Sequence, residues 1–282
     1  MNHGLADDYF SNERKKKHME DIYEEIVRIK NLGDICALAS IVRVKGSTPR
    51  PEGSKMLVRG DGTILGSIGG GCAEAGVWEA AMKVIKDETP VVLDFDMTGR
   101  EDTPEGLICG GTMQVSIEPI LPQPIVYILG AGHIGFAVSK IAKLAGFKVI
   151  VIDDRPAYAN VERFPDADKI LVEDPADMLP KIDVNKVSYL VIACRGHLED
   201  QRTLIEALKT NAFYIGLLGS KKKVKTVFAN IVKEGVAEES LKRIHAPIGV
   251  PIATDTPEEI AVSIMAEIID VRRQKKNKKS QD

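Results

Sequence analysis

The chain lacks the residues from which several common site types are built. Only four of its 282 residues are cysteine (Cys36, Cys72, Cys109 and Cys194), and no two form a CxxC pair. A disulfide framework is therefore not the organising principle, and free thiols in a reducing cytosol are expected. The five histidines, His3, His18, His133, His197 and His245, show no HExxH or CxxC-linked spacing, so no structural zinc is expected. No apolar run approaches the roughly 20 residues of a membrane span. The opening MNHGLADDYFSNERKKK has no apolar core of a secretory signal. The expectation is a cytoplasmic protein without membrane contact. A basic surplus is missing too: 38 Lys and Arg face 41 Asp and Glu, a net charge of -3, which argues against nucleic acid as a partner.

What is present is an ordinary globular balance, 44% hydrophobic and 28% charged, in a length that suits about two domains. The one charge asymmetry is at the end. There Arg272, Arg273, Lys275, Lys276, Lys278 and Lys279 face only Asp282, and 274–282 reads as a solvated basic tail.

After a polar leader (1–18), Ile22, Ile26 and Ile29 recur at helical spacing and Gly33 is placed to end that helix. ICALASIVRV, SKMLV, TILGS, PVVLDFD and GTMQVSIEP read as strands, with Asp61-Gly62 as a hairpin turn, and CAEAGVWEAAMKVIK (72–86) reads as a covering helix. The segment 19–121 is thus expected to be a smaller, strand-rich α+β domain. LPQP (121–124) marks a boundary. In 125–273 the short buried runs PIVYILG, KVIVIDD, DKILVE, SYLVIAC and FYIGLLG alternate with helical patterns. That alternation predicts an α/β, Rossmann-type parallel sheet with helices on both faces. The last helix has Thr256 as N-cap, with Pro257 and two glutamates in its first turn.

The strand IVYIL runs into Gly130-Ala131-Gly132-His133-Ile134-Gly135, and Asp153 follows the next strand. Gly130 allows a tight turn, Gly132 close approach of a pyrophosphate and Gly135 helix–strand packing, while Asp153 can accept from a ribose hydroxyl. A dinucleotide, NAD(P) or FAD, is one occupant of such a turn, although a fold does not fix a ligand. His133 faces either an anion or solvent. Arg155, two residues beyond Asp153 in VIDDRP, joins this candidate set.

Three N-terminal loops concentrate glycine, small polar residues, arginine and cysteine. In KGSTPRPEGSKM, Arg50 sits between two prolines beside groups that can cradle a phosphate; the plainer reading is a turn between strands. In GSIGGGCAE, Gly69, Gly70 and Gly71 lead into a helix whose positive end would make Cys72 a better ligand or nucleophile, unless it is buried and inert. In GLICGGTM, Cys109 precedes Gly110 and Gly111, either as a soft-metal ligand or as a structural thiol. In the second half, Cys194-Arg195-Gly196-His197 follows a strand at its carboxyl end. His197 is a candidate acid or base there, with Asp200 either its partner or a capping carboxylate. Gly219-Ser220, followed by three lysines, is a second anion site or an exposed basic turn.

Taken in order, GSTPRPEGSKM, GSIGGGCAE, CGGTMQVSIEP, LGAGHIG, VIDDRP, RGHLED, YIGLLGSKKK and PIGVPIATDTPEEIAVSIMAEI resemble the XdhC/CoxI family of xanthine dehydrogenase accessory proteins, over about residues 35–273. The resemblance implies a cytoplasmic, homodimeric maturation factor. Such a factor binds molybdenum cofactor (molybdopterin), supports its sulfuration with a cysteine desulfurase, and delivers it to a molybdenum hydroxylase apoenzyme. It places the family's Cys-Gly-Gly loop on Cys109, Gly110 and Gly111 and its glycine-rich loop on Gly69 to Cys72, in agreement with a soft-ligand site; the expectation is that Cys109, with Cys72, contacts the molybdenum while the anionic tail lies near Arg50 or on the Gly130–Gly135 turn. The chain departs from the family where Cys194 stands in place of a threonine before Arg-Gly-His. Two other readings stay open: an NAD(P)- or FAD-dependent oxidoreductase using the Rossmann domain, and a scaffold without cargo.

Overall fold

A computed structural model describes residues 21–98 and 108–279, with the backbone alone for 108–109 and 275–279. The chain divides into two compact units, split between Leu121 and Pro122.

The first unit is built on a five-stranded antiparallel sheet, ordered β3-β2-β1-β5-β4. The strands are β1 (Cys36–Gly46), β2 (Lys55–Arg59), β3 (Ile64–Gly66), β4 (Val91–Thr98) and β5 (Ile108–Ile120). Helix α1 (Ile22–Asn31) puts Ile29, with Ile22 and Ile26, against Cys36, Leu38 and Leu57 on one face. Helix α2 (Gly71–Asp87) covers the other, where Val77, Ala81 and Val84 meet Ala37, Ala39, Met56, Val58, Val115 and Ile117. The alternation read from the sequence is what sends these two sets to opposite faces. Residues 59–64 turn at Gly62, whose positive φ suits glycine, and the indole N–H of Trp78 donates to its carbonyl at 2.8 Å.

The second unit is an all-parallel sheet ordered β11-β10-β9-β6-β7-β8. Its strands are β6 (Ile125–Leu129), β7 (Lys148–Ile152), β8 (Lys169–Leu171), β9 (Ser188–Ile192), β10 (Tyr214–Leu217) and β11 (Ile244–His245). Numbered within the unit, this is the doubly wound order 3-2-1-4-5-6, and its chain reversal lies between β6 and β9, where such folds place ligands. Helices α3 (His133–Leu144) and α7 (Pro257–Lys279) pack one face. The short α4 (Pro175–Met178), α5 (His197–Leu208) and α6 (Lys221–Lys233) pack the other. Ile128 and Leu129 are wholly buried on opposite faces of β6, so both cores share one strand.

Two features differ from the sequence expectation. β11 has only two residues, too few for periodicity to reveal. The basic segment expected as a tail from 274 continues α7 through Lys279, because Lys, Arg and Gln are good helix formers once a helix is running. Thr256 does cap that helix: its Oγ1 accepts from the Glu259 N–H, and Glu259 accepts from the N–H groups of Thr256 and Asp255.

Candidate functional site

Each unit carries a candidate site of its own. In the first, three glycine-rich loops meet at one end of the sheet. β1 and β5 pair Gly46 with Gly111, and a Cβ at Gly111 would collide with the carbonyl of Ser47. A Cβ at Gly69 would press on the Pro49 ring at 2.7 Å. Ser47-Thr48-Pro49-Arg50 is thus wedged between the glycine-rich turn that opens α2 and the start of β5. In contrast, Gly70, Gly71 and Gly110 combine positive φ with open space where a side chain would stand. At these three positions no described atom from elsewhere in the chain stands within 4 Å of where a side chain would begin.

Arg50 is exposed, and its guanidinium has no ion-pair partner among the described residues. Cys72 is exposed in the first turn of α2. Cys109 lies in β5, and its side chain lies outside the described residues. Glu74, which sequence reasoning missed, holds the turn in shape. Its Oε2 accepts from the Ser67 hydroxyl at 2.6 Å and from the N–H groups of Gly70 at 3.1 Å and Ile68 at 3.3 Å. Burial alone would raise this carboxyl, but those bonds outweigh it and hold the group below the usual carboxylate range. The available clue was a glutamate one turn into a helix after a glycine run, the place where a carboxylate reaches back to satisfy helix-start donors.

The other two described thiols are poor nucleophiles. Cys36 is wholly buried on β1 and burial pushes its thiol up to about 11. Cys194 is pushed by burial up to about 12, with its Sγ against the Leu129 carbonyl and the Thr203 hydroxyl. Cys194 therefore packs the crossover rather than presenting sulfur to a ligand.

In the second unit, the Gly130–Gly135 turn joins β6 to α3. A Cβ at Gly130 would collide with the Ala193 carbonyl, and one at Gly135 with the Gly130 carbonyl, so both glycines are required by packing inside the chain. Gly132, the N-cap of α3, is different: its φ is -68°, and a Cβ there would meet nothing. His133 is exposed.

Asp153 is 4% exposed. Ala131 donates its N–H to Oδ2 at 2.7 Å, and Arg155 donates its backbone N–H and Nε to Oδ1 and Nη2 to Oδ2, at 3.0, 2.8 and 2.7 Å. Burial would raise the Asp153 carboxyl, but the Arg155 fork and the Ala131 N–H keep it below the usual range. The Arg155 guanidinium stacks 3.9 Å from the Tyr158 ring centroid, and Arg163 lies 4.8 Å from the same centroid. Beside them the crevice, bordered by Gly130, Asp154, Cys194, Arg195 and Glu199, encloses about 20 Å³, room for about one water.

The pairing of His197 with Asp200, one of the sequence expectations, is not formed. His197 is exposed at the start of α5, whose N-cap is Gly196. Asp200 is wholly buried, accepts from the Cys194 N–H at 3.0 Å and forms an ion pair with Lys223. The helical turn carries residue 200 inward under the crossover, away from the exposed first residue. Lys223 also donates to the Leu218 carbonyl, and a Cβ at Gly219 would press on its side chain at 2.9 Å, so Gly219 makes room for that reach. Ser220 caps α6, accepting from the Lys223 N–H. A further missed cluster joins β11 to α7. His245 Nδ1 lies 2.6 Å from Glu267 Oε1, Glu267 also accepts from the Gly249 N–H, and the buried Tyr214 ring stacks 4.4 Å from His245.

Comparison with known proteins sets these sites in context. Residues 126–268 match the XdhC Rossmann domain, and residues 31–96 match the XdhC and CoxI family. Escherichia coli K12 YqeB, an uncharacterised protein, is 34% identical over 253 residues, covering 89% of this chain and 46% of its own length. The chain thus spans about half of that relative. A probable xanthine dehydrogenase subunit from Bacillus subtilis 168 is 25% identical over 84% of this chain and 93% of its own. The molybdenum cofactor insertion chaperone PaoD of Escherichia coli K12 is 25% identical over 85% and 84%. A crystal structure from Bacillus halodurans, described as a xanthine dehydrogenase, superposes with a TM-score of 0.50 at 25% identity, covering 89% of this chain and 96% of that one.

Proposed function

Because the chain belongs to the XdhC and CoxI family, we propose that it is an accessory protein that binds molybdenum cofactor as cargo, supports its sulfuration, and aids its insertion into a xanthine dehydrogenase-type molybdenum hydroxylase. The observation that carries this reading is the meeting of three loops in the first unit. There, open space at Gly70, Gly71 and Gly110 adjoins exposed Cys72 and Arg50, which has no ion-pair partner among the described residues.

Bound cargo would bring a molybdenum centre that accepts thiolate and a phosphate that takes cationic and N–H donors. The chain's residues suit both demands. Cys109 and Cys72 supply soft sulfur, Arg50 supplies a guanidinium, Gly70, Gly71 and Gly110 hold no side chain where a ligand would lie, and Gly69 and Gly111 let the loops pack closely. Glu74 keeps the turn ready by satisfying its inner N–H groups. Few direct bonds and an open surface suit moderate affinity, which a carrier needs in order to release what it holds. The same reading assigns three partners: the hydroxylase apoenzyme, a cysteine desulfurase as the sulfur source, and a second copy of the chain.

The test is to purify the full chain from a host that makes molybdenum cofactor, oxidise it, and measure released pterin fluorescence. Wild type should retain pterin, and Cys109→Ala and Cys72→Ala should each retain several-fold less. Wild-type protein without pterin would overturn the carrier reading, whereas equal pterin in wild type and both variants would remove the thiols from the site.

A further inference from the structure

The second unit has the strand order and the glycine turn of a dinucleotide fold, yet its ribose acceptor is already spent. A carboxylate offers about four acceptor positions, and Asp153 receives four donors from the chain itself, one from Ala131 and three from Arg155. The Arg155 guanidinium engages both oxygens, and its stacking on Tyr158 holds it there. Arg195 adds a second cation at the crevice, reaching Asp154 at 3.5 Å and Glu199 at 3.3 Å. The free volume among these side chains is about 20 Å³, about one water.

We propose that Arg155 is a specificity-determining residue of this crevice: by saturating Asp153 it excludes ligands that present a ribose diol, and its removal creates affinity for an adenine dinucleotide. The direction follows from the donor count. A ribose must give up water to enter, and it gains no bond at Asp153 unless that carboxylate has free lone pairs. Cutting Arg155 back to alanine takes away the whole guanidinium fork and leaves a buried carboxylate short of donors, which is the arrangement that a diol satisfies. Gly132, where no side chain stands and none of the chain's own atoms intrude, leaves room for the adjoining pyrophosphate. The proposal stands whether or not the first unit carries pterin.

The experiment is calorimetric titration of the full chain with NAD+. Wild type should show no saturable binding up to about 1 mM, roughly the weak end of cofactor affinities. Arg155→Ala should bind at least about tenfold more tightly, a step of about 1.4 kcal/mol, and the double variant Arg155→Ala, Asp153→Ala should lose that gain. Arg155→Lys keeps a cation but not the fork, and should gain a smaller amount. Saturable NAD+ binding by wild type as tight as that of Arg155→Ala overturns the proposal. So does the absence of any gain in both single variants. Because wild type and Arg155→Lys preserve the charge at the site, the outcome does not hang on the folding of one truncated variant.

Discussion

Glu25 and Arg59, 34 residues apart, join α1 to β2 through an ion pair of 2.5 Å, and Arg28 donates to the same carboxylate from one turn along the helix. Glu25 is 6% exposed. Arg28 and Arg59 together overcome its burial and bring its carboxyl to about 2. A carboxylate with a depressed value in the folded chain adds stability that is complete above its ordinary range near 4.5 and is lost as pH falls toward 2. The first unit should therefore weaken steadily over that window. Glu25→Gln should lose about 2 kcal/mol at neutral pH, as expected for a hydrogen-bonded ion pair, and should show a flatter acid profile. Trp78, the only tryptophan, rests on the turn at Gly62 in this unit, so its fluorescence during urea titration at several pH values measures both effects.

The glycines of the Rossmann turn should separate by role. Gly130→Ala places a methyl group on the Ala193 carbonyl at a backbone φ of 116°, and should cost more than about 2 kcal/mol, the scale of strain and overpacking combined. Gly132→Ala has ordinary φ and an empty surround, and should cost no more than about 1 kcal/mol, the amount by which alanine is the poorer N-cap. Thermal melts of the two variants side by side decide this. Comparable losses would mean that the turn is tighter at Gly132 than the geometry indicates.

Thiol chemistry should divide in the same way. Cys36 is wholly buried, Cys194 is half-buried with its Sγ against Leu129 and Thr203, and both thiols are raised, so iodoacetamide at neutral pH should leave both unmodified in the folded chain and label them in denaturant. Cys72, exposed at a helix start, should be labelled without denaturant. Peptide mass mapping over time gives the answer. Native-state labelling of Cys194 would contradict its packing between Leu129 and Thr203.

Periodicity reached the elements that bury several residues each. The βα alternation after Ile125 predicts the parallel sheet because β6, β7, β9 and β10 are apolar runs of four or five residues, and three-residue β8 lies within the largely apolar stretch KILV, whereas Ile244–His245 has no such run around it. The α2 cover and the hairpin at Asp61-Gly62 were legible for the same local reasons. Pairings across the chain were not. Spacing alone offers Asp200 to His197, three residues away, but the helix carries it inward to Lys223, 23 residues on. Asp153 was recognisable as an acid after the second strand of a dinucleotide fold. That Arg155 fills its acceptor positions depends on side-chain directions that motif spacing does not encode. Glu74 and the His245–Glu267 pair were missed because their partners are backbone N–H groups and a distant helix.

The Asp200–Lys223 pair gives a prediction in which pH reverses the usual sense. Burial raises the Asp200 carboxyl, with Lys223 and the Cys194 N–H opposing that rise. An acid whose folded value lies above its ordinary one destabilises the fold in its charged form, so its contribution worsens as pH rises through that value. Lys223→Met removes the cation that pairs with this wholly buried group. At pH 7 the variant should lose about 3 kcal/mol, the scale for leaving one partner of a buried pair uncompensated. Without the lysine the carboxyl rises further, so a mildly acidic pH favours the neutral acid and should return part of the loss. Asp200→Asn in the Lys223→Met background removes the charge altogether, and should recover stability at pH 7 and abolish the pH effect. Chemical denaturation of the three proteins at the two pH values measures this. A Lys223→Met penalty that is the same at both would show that the lysine acts through its contact with the Leu218 carbonyl and its packing on Gly219, not through the buried charge.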